Sequence, residues 1–171
     1  MIRLKNFEEK DYDQLISWVE SEEALMQFAG PAFTFPLTHE QLRFSLSDSK
    51  RIAFKVVEVP GDISIGHAEI YLADSTAYLG RILIGLKHLR GTGIGQKIVK
   101  QLLEYTFITL SRDKVELNVF EWNISAIKCY EKAGFTINPD KKAARKVNDQ
   151  TWIAINMNIE KIKWQERLQF P

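Results

Sequence analysis

Two periods of hydrophobic residues divide the chain into elements. Ile2 to Phe7 reads as a strand, and from Asp11 to Glu20 the residues Tyr12, Leu15, Ile16 and Val19 recur at helical spacing. Pro31 and Pro36 interrupt helix between Gly30 and Leu37, after which Thr38 with Gln41 three residues on predicts a capping box and a short helix through Leu46. Two β-branched runs, Ala53 to Val59 and Ile63 to Leu72, flank Pro60-Gly61-Asp62 and predict a hairpin. A polar turn over Ala73 to Ala77 leads into a third strand, Tyr78 to Leu86. The pattern then alternates: helix over Ile94 to Thr109, strand over Val115 to Phe120, helix over Ser125 to Ala133, and a late strand over Trp152 to Met157. Three antiparallel strands followed by this alternation predict an α/β fold with a parallel crossover.

One stretch fits neither period. LRGTGIGQKIVKQLL, residues 89 to 103, places glycines at 91, 93 and 95 between the strand Tyr78 to Leu86 and a helix striped by Ile94, Ile98, Val99, Leu102 and Phe107. The first four N–H groups of a helix have no partner within it, and the macrodipole adds roughly half a positive charge there. Glycines let the backbone turn sharply and approach an anion without a Cβ in the way, and Arg90 can add a charge-assisted contact. The arrangement suits a diphosphate. It is not a dinucleotide fingerprint, because position 96 is Gln, and it is not a Walker loop, because Lys97 follows Gln96 and precedes Ile98.

Composition narrows the classes. The 171 residues are 45% hydrophobic and 26% charged, which suits one globular domain, and a net charge of +1 gives no global pull toward nucleic acid or acidic membranes. The N-terminal MIRLKNFEEKDYDQL lacks an apolar signal core and no run reaches the ~20 apolar residues of a membrane helix, so the expectation is a soluble cytoplasmic protein. A single cysteine, Cys129, allows neither an internal disulfide nor a thiolate metal site, and His39, His67 and His88 show no metal-ligand spacing, so no metal is expected.

Arg90-x-x-Gly93-x-Gly95 is followed about 30 residues later by Asn123-x-x-Ala126-x-x-x-Tyr130-x-x-x-Gly134-Phe135. On these two motifs the chain resembles the GNAT superfamily of acyl-CoA-dependent N-acetyltransferases. The stretches GHAEIYL and RILIGLKHLRGTGIG are most similar to the branch that includes ribosomal-protein N-terminal acetyltransferases. The resemblance covers residues 1 to 160, strongest from Ile63 to Phe135, leaving 161 to 171 as a C-terminal extension. It implies a mixed, mostly antiparallel sheet of six to seven strands with a central parallel pair splayed open and helices on both faces.

The same resemblance implies acetyl-CoA as co-substrate and a primary amine as acceptor, a protein N-terminus or a small molecule. Leu83, Ile84 and Gly85 would run beside the pantetheine arm as a neighbouring strand would. Gly91, Thr92, Gly93, Ile94, Gly95 and Gln96 would hold the pyrophosphate on backbone N–H groups with Arg90 nearby. Asn123 would reach the pantetheine, although Asn is equally favoured there as a helix cap. Tyr130 would protonate the departing thiolate, a task suited to a phenol whose reference pKa is ~10; packing between helix and sheet is the structural alternative.

The general base is left open. Some relatives carry a glutamate five residues before the motif asparagine, but that place here is Asn118. Period two puts Glu116 on the Asn118 face of its strand, opposite Val115, Leu117 and Val119, and Glu69 likewise faces away from Ala68, Ile70 and Leu72. Either is a candidate acting through water, either can be a solvated strand-face charge, and an amine that loses its proton to solvent needs neither. Cys129 lacks a placed histidine base and reads as a buried helix cysteine. Lys141 to Lys146 reads as a solvated loop that could flank the acceptor entrance and meet acidic substrates. The tail Ile162 to Phe170 docks either on the domain or on a second subunit, which leaves a homodimer possible. The resulting expectation is an N-acetyltransferase working by direct transfer in a ternary complex; the alternative is an acyl-CoA-binding sensor or partner module without turnover.

Overall fold

The computed structural model describes residues 1–169. Its strands are β1 (Ile2–Asn6), β2 (Arg51–Glu58), β3 (Ile63–Ala73), β4 (Thr76–Ile84), β5 (Lys114–Phe120), β6 (Thr136–Val147) and β7 (Gln150–Glu160). Its helices are α1 (Tyr12–Trp18), α2 (Glu22–Ala29), α3 (His39–Leu46), α4 (Ile94–Glu104), α5 (Ile124–Ala133) and α6 (Lys161–Gln169). One sheet runs β1-β2-β3-β4-β5-β7-β6, antiparallel throughout except where β4 and β5 run parallel. Among the described residues no helix is long and apolar enough to cross a membrane.

Alternation along the strands separates two apolar layers. Ala68, Ile70, Val115, Leu117 and Val119 face α4, α5 and α6, where they meet Ile98, Val99, Leu102, Ile127 and Trp164. The α4 stripe buries Ile94, Ile98, Val99, Leu102 and Leu103, and each such side chain contributes about 1.5–3 kcal/mol relative to exposure. On the other face α1, α2 and α3 supply Tyr12, Leu15, Val19, Leu25, Phe28 and Leu42 as a second cluster.

Local signals account for several boundaries. Thr38 caps α3 by accepting from Gln41 N–H at 3.3 Å. The Gln41 amide does not close the reciprocal box; it donates to the carbonyls of Thr34 and Pro36, both at 3.0 Å, and so ties the proline loop to the helix. Ser21 caps α2 in the same manner from Ala24 N–H at 3.1 Å. The helix expected to run to Thr109 leaves α-geometry after Glu104, and the Leu110 N–H reaches back five residues to Tyr105 O at 3.0 Å, a widened last turn.

The structure departs from the sequence reading in two places and settles on one of two alternatives for Trp164 in a third. Residues 22–29 form α2 although the segment carries little periodic signal beyond Leu25 and Phe28. The basic run expected as a loop lies within β6, which is one of the sheet's two edge strands and is exposed along most of its length, so no hydrophobic alternation marks it. The tail forms α6, and Trp164 packs into the domain core with its ring 5.2 Å from that of Phe107. Phe170, named with that tail, lies outside the described residues.

Close strand pairing leaves one position no room for a side chain. A Cβ at Gly66 would lie 2.4 Å from the carbonyl oxygen of Leu83 on β4. Backbone cannot yield as a side-chain tip can, so Gly66→Ala is expected to cost about 2 kcal/mol and lower the melting temperature by roughly 4–8 °C, read by differential scanning calorimetry.

Candidate active site

The parallel ladder between β4 and β5 is short. It joins Thr76, Ala77 and Tyr78 to Lys114, Val115 and Glu116, and beyond it the two strands separate. A groove of about 1760 Å³ passes through this gap, larger than the ~300–1,000 Å³ usual for one small ligand and therefore roomy enough for two reactants. One end is lined by Arg90, Gly91, Thr92, Gly93, Gly95 and Gln96, and the other reaches the α1–α3 face at Arg51, Glu69 and Tyr71.

At the first end the glycine turn delivers a row of donors. Gly93 is the N-cap of α4 with φ +88°, and Gly91 has φ +78°, conformations that side-chain-bearing residues rarely adopt. Lys97 makes the first helical bond, to Gly93 O at 3.3 Å. The backbone N–H groups from Gly91 to Gln96 take no backbone acceptor among the described residues. Arg90 is steadied beside them by its Nε donating to Ile84 O at 3.0 Å. Packing makes no such demand at Gly95: a Cβ there would sit 3.5 Å from Cys129 Sγ, an ordinary contact.

Register decides which of Leu83, Ile84 and Gly85 faces the gap. Gly85 N–H donates to Ile65 O at 2.9 Å, so its donor belongs to β3, and the Leu83 carbonyl also points toward β3 at Gly66. Ile84, opposite Gly66 in a non-hydrogen-bonded pair, turns its N–H toward the open side, while its C=O already accepts from Arg90 Nε. Of the three expected backbone partners, Ile84 is the one presented to the gap. Gly85 has a different constraint, since a Cβ there would lie 2.1 Å from the Trp18 ring at the end of α1.

Asn123 and Tyr130 bracket the gap from α5. Asn123 caps the helix, its Oδ1 accepting from Ala126 N–H at 3.2 Å, while its residue still lines the groove. Tyr130 lies one turn from the helix end with its ring 5.9 Å from that of Phe135, and it too lines the groove. Burial, with a smaller contribution from Cys129, raises the Tyr130 phenol well above its ordinary value, so its proton stays in place at working pH. Burial likewise raises the neighbouring Cys129 thiol, which keeps it a neutral packing group.

The two glutamates are both found on the α1–α3 side of the sheet, and both are engaged. The Glu69 side chain is 1% exposed and accepts from Arg51 Nη1 at 2.9 Å, from Arg81 Nη1 at 3.0 Å and from His67 Nε2 at 3.0 Å. Burial alone would raise its carboxyl; the His67 hydrogen bond and the charges of His67, Arg81 and Arg51 outweigh that and lower it to about 2. Glu116 is also buried, and it pairs with Lys114 at 2.8 Å, Lys141 at 2.9 Å and Asn156 at 3.2 Å. Burial opposes its ionisation, but the two lysines prevail and hold the carboxyl below its ordinary value. Neither is the solvated strand-face charge the sequence allowed.

Sequence reasoning missed Arg51, Arg81 and His67. His67 and Glu69 stand two apart on one strand, so period two places them on one face, and that spacing was a usable signal. Arg51 and Arg81 arrive by strand register and by a break in the β3–β4 ladder between His67 and Glu69, where Arg81 has φ +51°; no local pattern announces that.

Comparisons with known proteins agree with this geometry. The family model described as an acetyltransferase (GNAT) domain matches residues 2–136. A probable spermine N(1)-acetyltransferase of Bacillus subtilis subsp. natto (strain BEST195) is 36% identical over 61 residues, covering 36% of this chain and 40% of that protein. A kanamycin resistance protein of Rhizobium radiobacter is 42% identical over 45 residues, covering 26% of this chain and 42% of that protein. The matches thus span about two fifths of these relatives. Among solved structures, spermidine N-acetyltransferase from Vibrio cholerae in complex with CoA and spermine superposes with a TM-score of 0.79 at 20% identity, over 96% of this chain and 98% of that one. An aminoglycoside acetyltransferase in complex with coenzyme A gives a TM-score of 0.73 at 20% identity, over 97% and 98%. At this identity the likeness establishes the fold. With the family model matched from β1 into β6 and the splayed pair in place, this chain belongs to the acetyltransferase (GNAT) domain family.

Proposed function

We propose that the chain transfers an acetyl group from acetyl-CoA to a primary amine by direct attack in a ternary complex. The observation that carries this reading is the row of unpartnered N–H groups from Gly91 to Gln96 at the mouth of a gap that runs through the sheet. Diphosphate oxygens complete those donors at the positive end of α4, and Arg90 adds its charge. The pantetheine arm then lies along the open edge of β4 and brings the thioester between the two faces. The relatives named above are described as acting on spermine, spermidine or aminoglycosides, all of which are amines.

In this reading the amine nitrogen attacks the thioester carbonyl carbon, and the N–C bond forms as negative charge grows on the carbonyl oxygen. The Ile84 N–H faces that side and donates to the oxyanion. The C–S bond then breaks, and the Tyr130 hydroxyl donates its proton toward the leaving thiolate. Its raised pKa makes that donation concerted with departure of the sulfur, with the proton replaced from solvent. The acceptor delivers its own proton to water. Glu69, ionised down to about pH 2 and held by two arginines, is too weak a base to remove it, and Glu116 is tied to Lys114 and Lys141.

Three outcomes follow. Gly93→Val forces a β-branched residue into the left-handed region at a strain of roughly 1–3 kcal/mol, which the free turn relieves by leaving the binding geometry, so calorimetric binding of acetyl-CoA should weaken by about 5- to 150-fold; unchanged affinity would refute the phosphate site. Tyr130→Phe should lower kcat by about 100-fold while acetyl-CoA affinity is retained, measured by thiol release. The pH profile of kcat/KM should show one rising limb set by the acceptor amine, and none from Glu69 between pH 5 and 9, because a carboxyl lowered to about 2 is already ionised throughout that window. Glu69→Gln should leave the midpoint of the rising limb in place; a shift would make Glu69 the base. Acetyl-CoA binding without thiol release from any amine would leave only the binding-module alternative.

A further inference from the structure

We infer that the acceptor is an amine that also carries a carboxylate, and that Arg51 and Arg81 are the groups that receive it; this deepens, and rests on, the acetyl-transfer reading. Charge beside this end of the groove is unbalanced. On the α1–α3 side of the gap two guanidiniums share one carboxylate. Glu69 is the only acid within ion-pair distance of Arg51 or Arg81 among the described residues, at 2.9 and 3.0 Å. His67, the third group on Glu69, brings no negative charge to offset them.

The surplus is held in place and directed into the groove. Arg81 is stacked under Phe33, with 4.3 Å from guanidinium carbon to ring centroid, and Arg51 lies over Tyr71 at 5.1 Å. Arg51 Nη1 is committed to Glu69, yet its Nε is buried with no hydrogen-bond partner among the described residues. The Arg51 side chain nevertheless keeps 20% of its surface exposed, and through that part an incoming carboxylate would offset the charge surplus. Both arginines line the groove.

The opposite wall has the same bias. Lys141 is balanced by Glu116, but Lys142 and Arg145 line the groove from β6 with only Asp140 beside them there. The chain as a whole is at +1, so this concentration is local rather than a reflection of composition. A polycation such as a polyamine would enter against these fixed charges, whereas an amino acid or a peptide with a free carboxylate would be drawn in by them.

The test compares each of a set of free amino acids and dipeptides with its own carboxamide, and with spermidine, using both thiol release and calorimetric titration into the CoA-loaded protein. The expected result is a carboxylate-to-carboxamide preference of at least about tenfold in affinity and in kcat/KM, with spermidine weaker still. Arg51→Gln should collapse that ratio toward unity and Arg51→Lys should restore part of it, and the ratio within each protein is read only where its melt is cooperative. The wild-type ratio alone suffices should either variant fail to fold. Equal or better use of the carboxamide or of spermidine would overturn the assignment. A carboxylate preference in titration with no thiol release would uphold it and sink acetyl transfer instead.

Discussion

The parting of β4 from β5 is the constraint on which the site depends. Three residue pairs of parallel ladder hold the strands together, and beyond Tyr78 and Glu116 each loses its neighbour while the sheet continues on both sides. Backbone donors and acceptors on the inner edge of β4 then have no strand to pair with, which in a continuous sheet would be a defect. Here the defect coincides with the start of α4, where the glycine turn leaves a further row of N–H groups without partners. Both unmet sets line one channel, shaped for a single extended ligand with a charged head.

That channel joins two environments of different character. On the α4–α5 side the donors are backbone dipoles, fixed by the turn and by helix geometry, with Tyr130 held neutral by burial. On the α1–α3 side the polar groups are ionised side chains in an otherwise apolar layer, with Glu69 beneath Arg51 and Arg81 and His67 wedged against Phe7 and Phe28. Desolvated ions in such a layer are expensive unless paired, so the local ratio of acids to bases determines what else can enter. A protein nearly neutral overall can in this way carry a strongly signed cleft.

Much of this was legible from the chain alone, for identifiable reasons. The hairpin strands and α4 declare themselves because each has one buried face, which imposes a period on the sequence. The glycine turn is legible because positive φ at 91 and 93 demands glycine. What escaped has no such imprint. β6 is exposed on both faces, so its lysines look like a loop; α2 is short and follows a cap that only its Ser21 reveals; and the meeting of Arg51 with Glu69 is a matter of strand register between residues 18 apart in the chain. The engagement of Glu69 and Glu116 illustrates the same limit: face can be read from alternation, but partners arrive from distant segments. Likewise, that Ile84 rather than Gly85 presents its N–H to the gap follows from pairing phase, which sequence does not encode locally.

The outer strand β6 carries a consequence of its own. A long edge with unpaired backbone invites another chain to add itself, the first step toward ordered aggregates. Lys141, Lys142, Arg145 and Lys146 are spaced along this edge, and a second copy aligned against it would bring like charges together strand upon strand. The same residues that colour the cleft thus act as gatekeepers for colloidal stability, so neutralising them to alter acceptor choice would expose the sheet to templated growth.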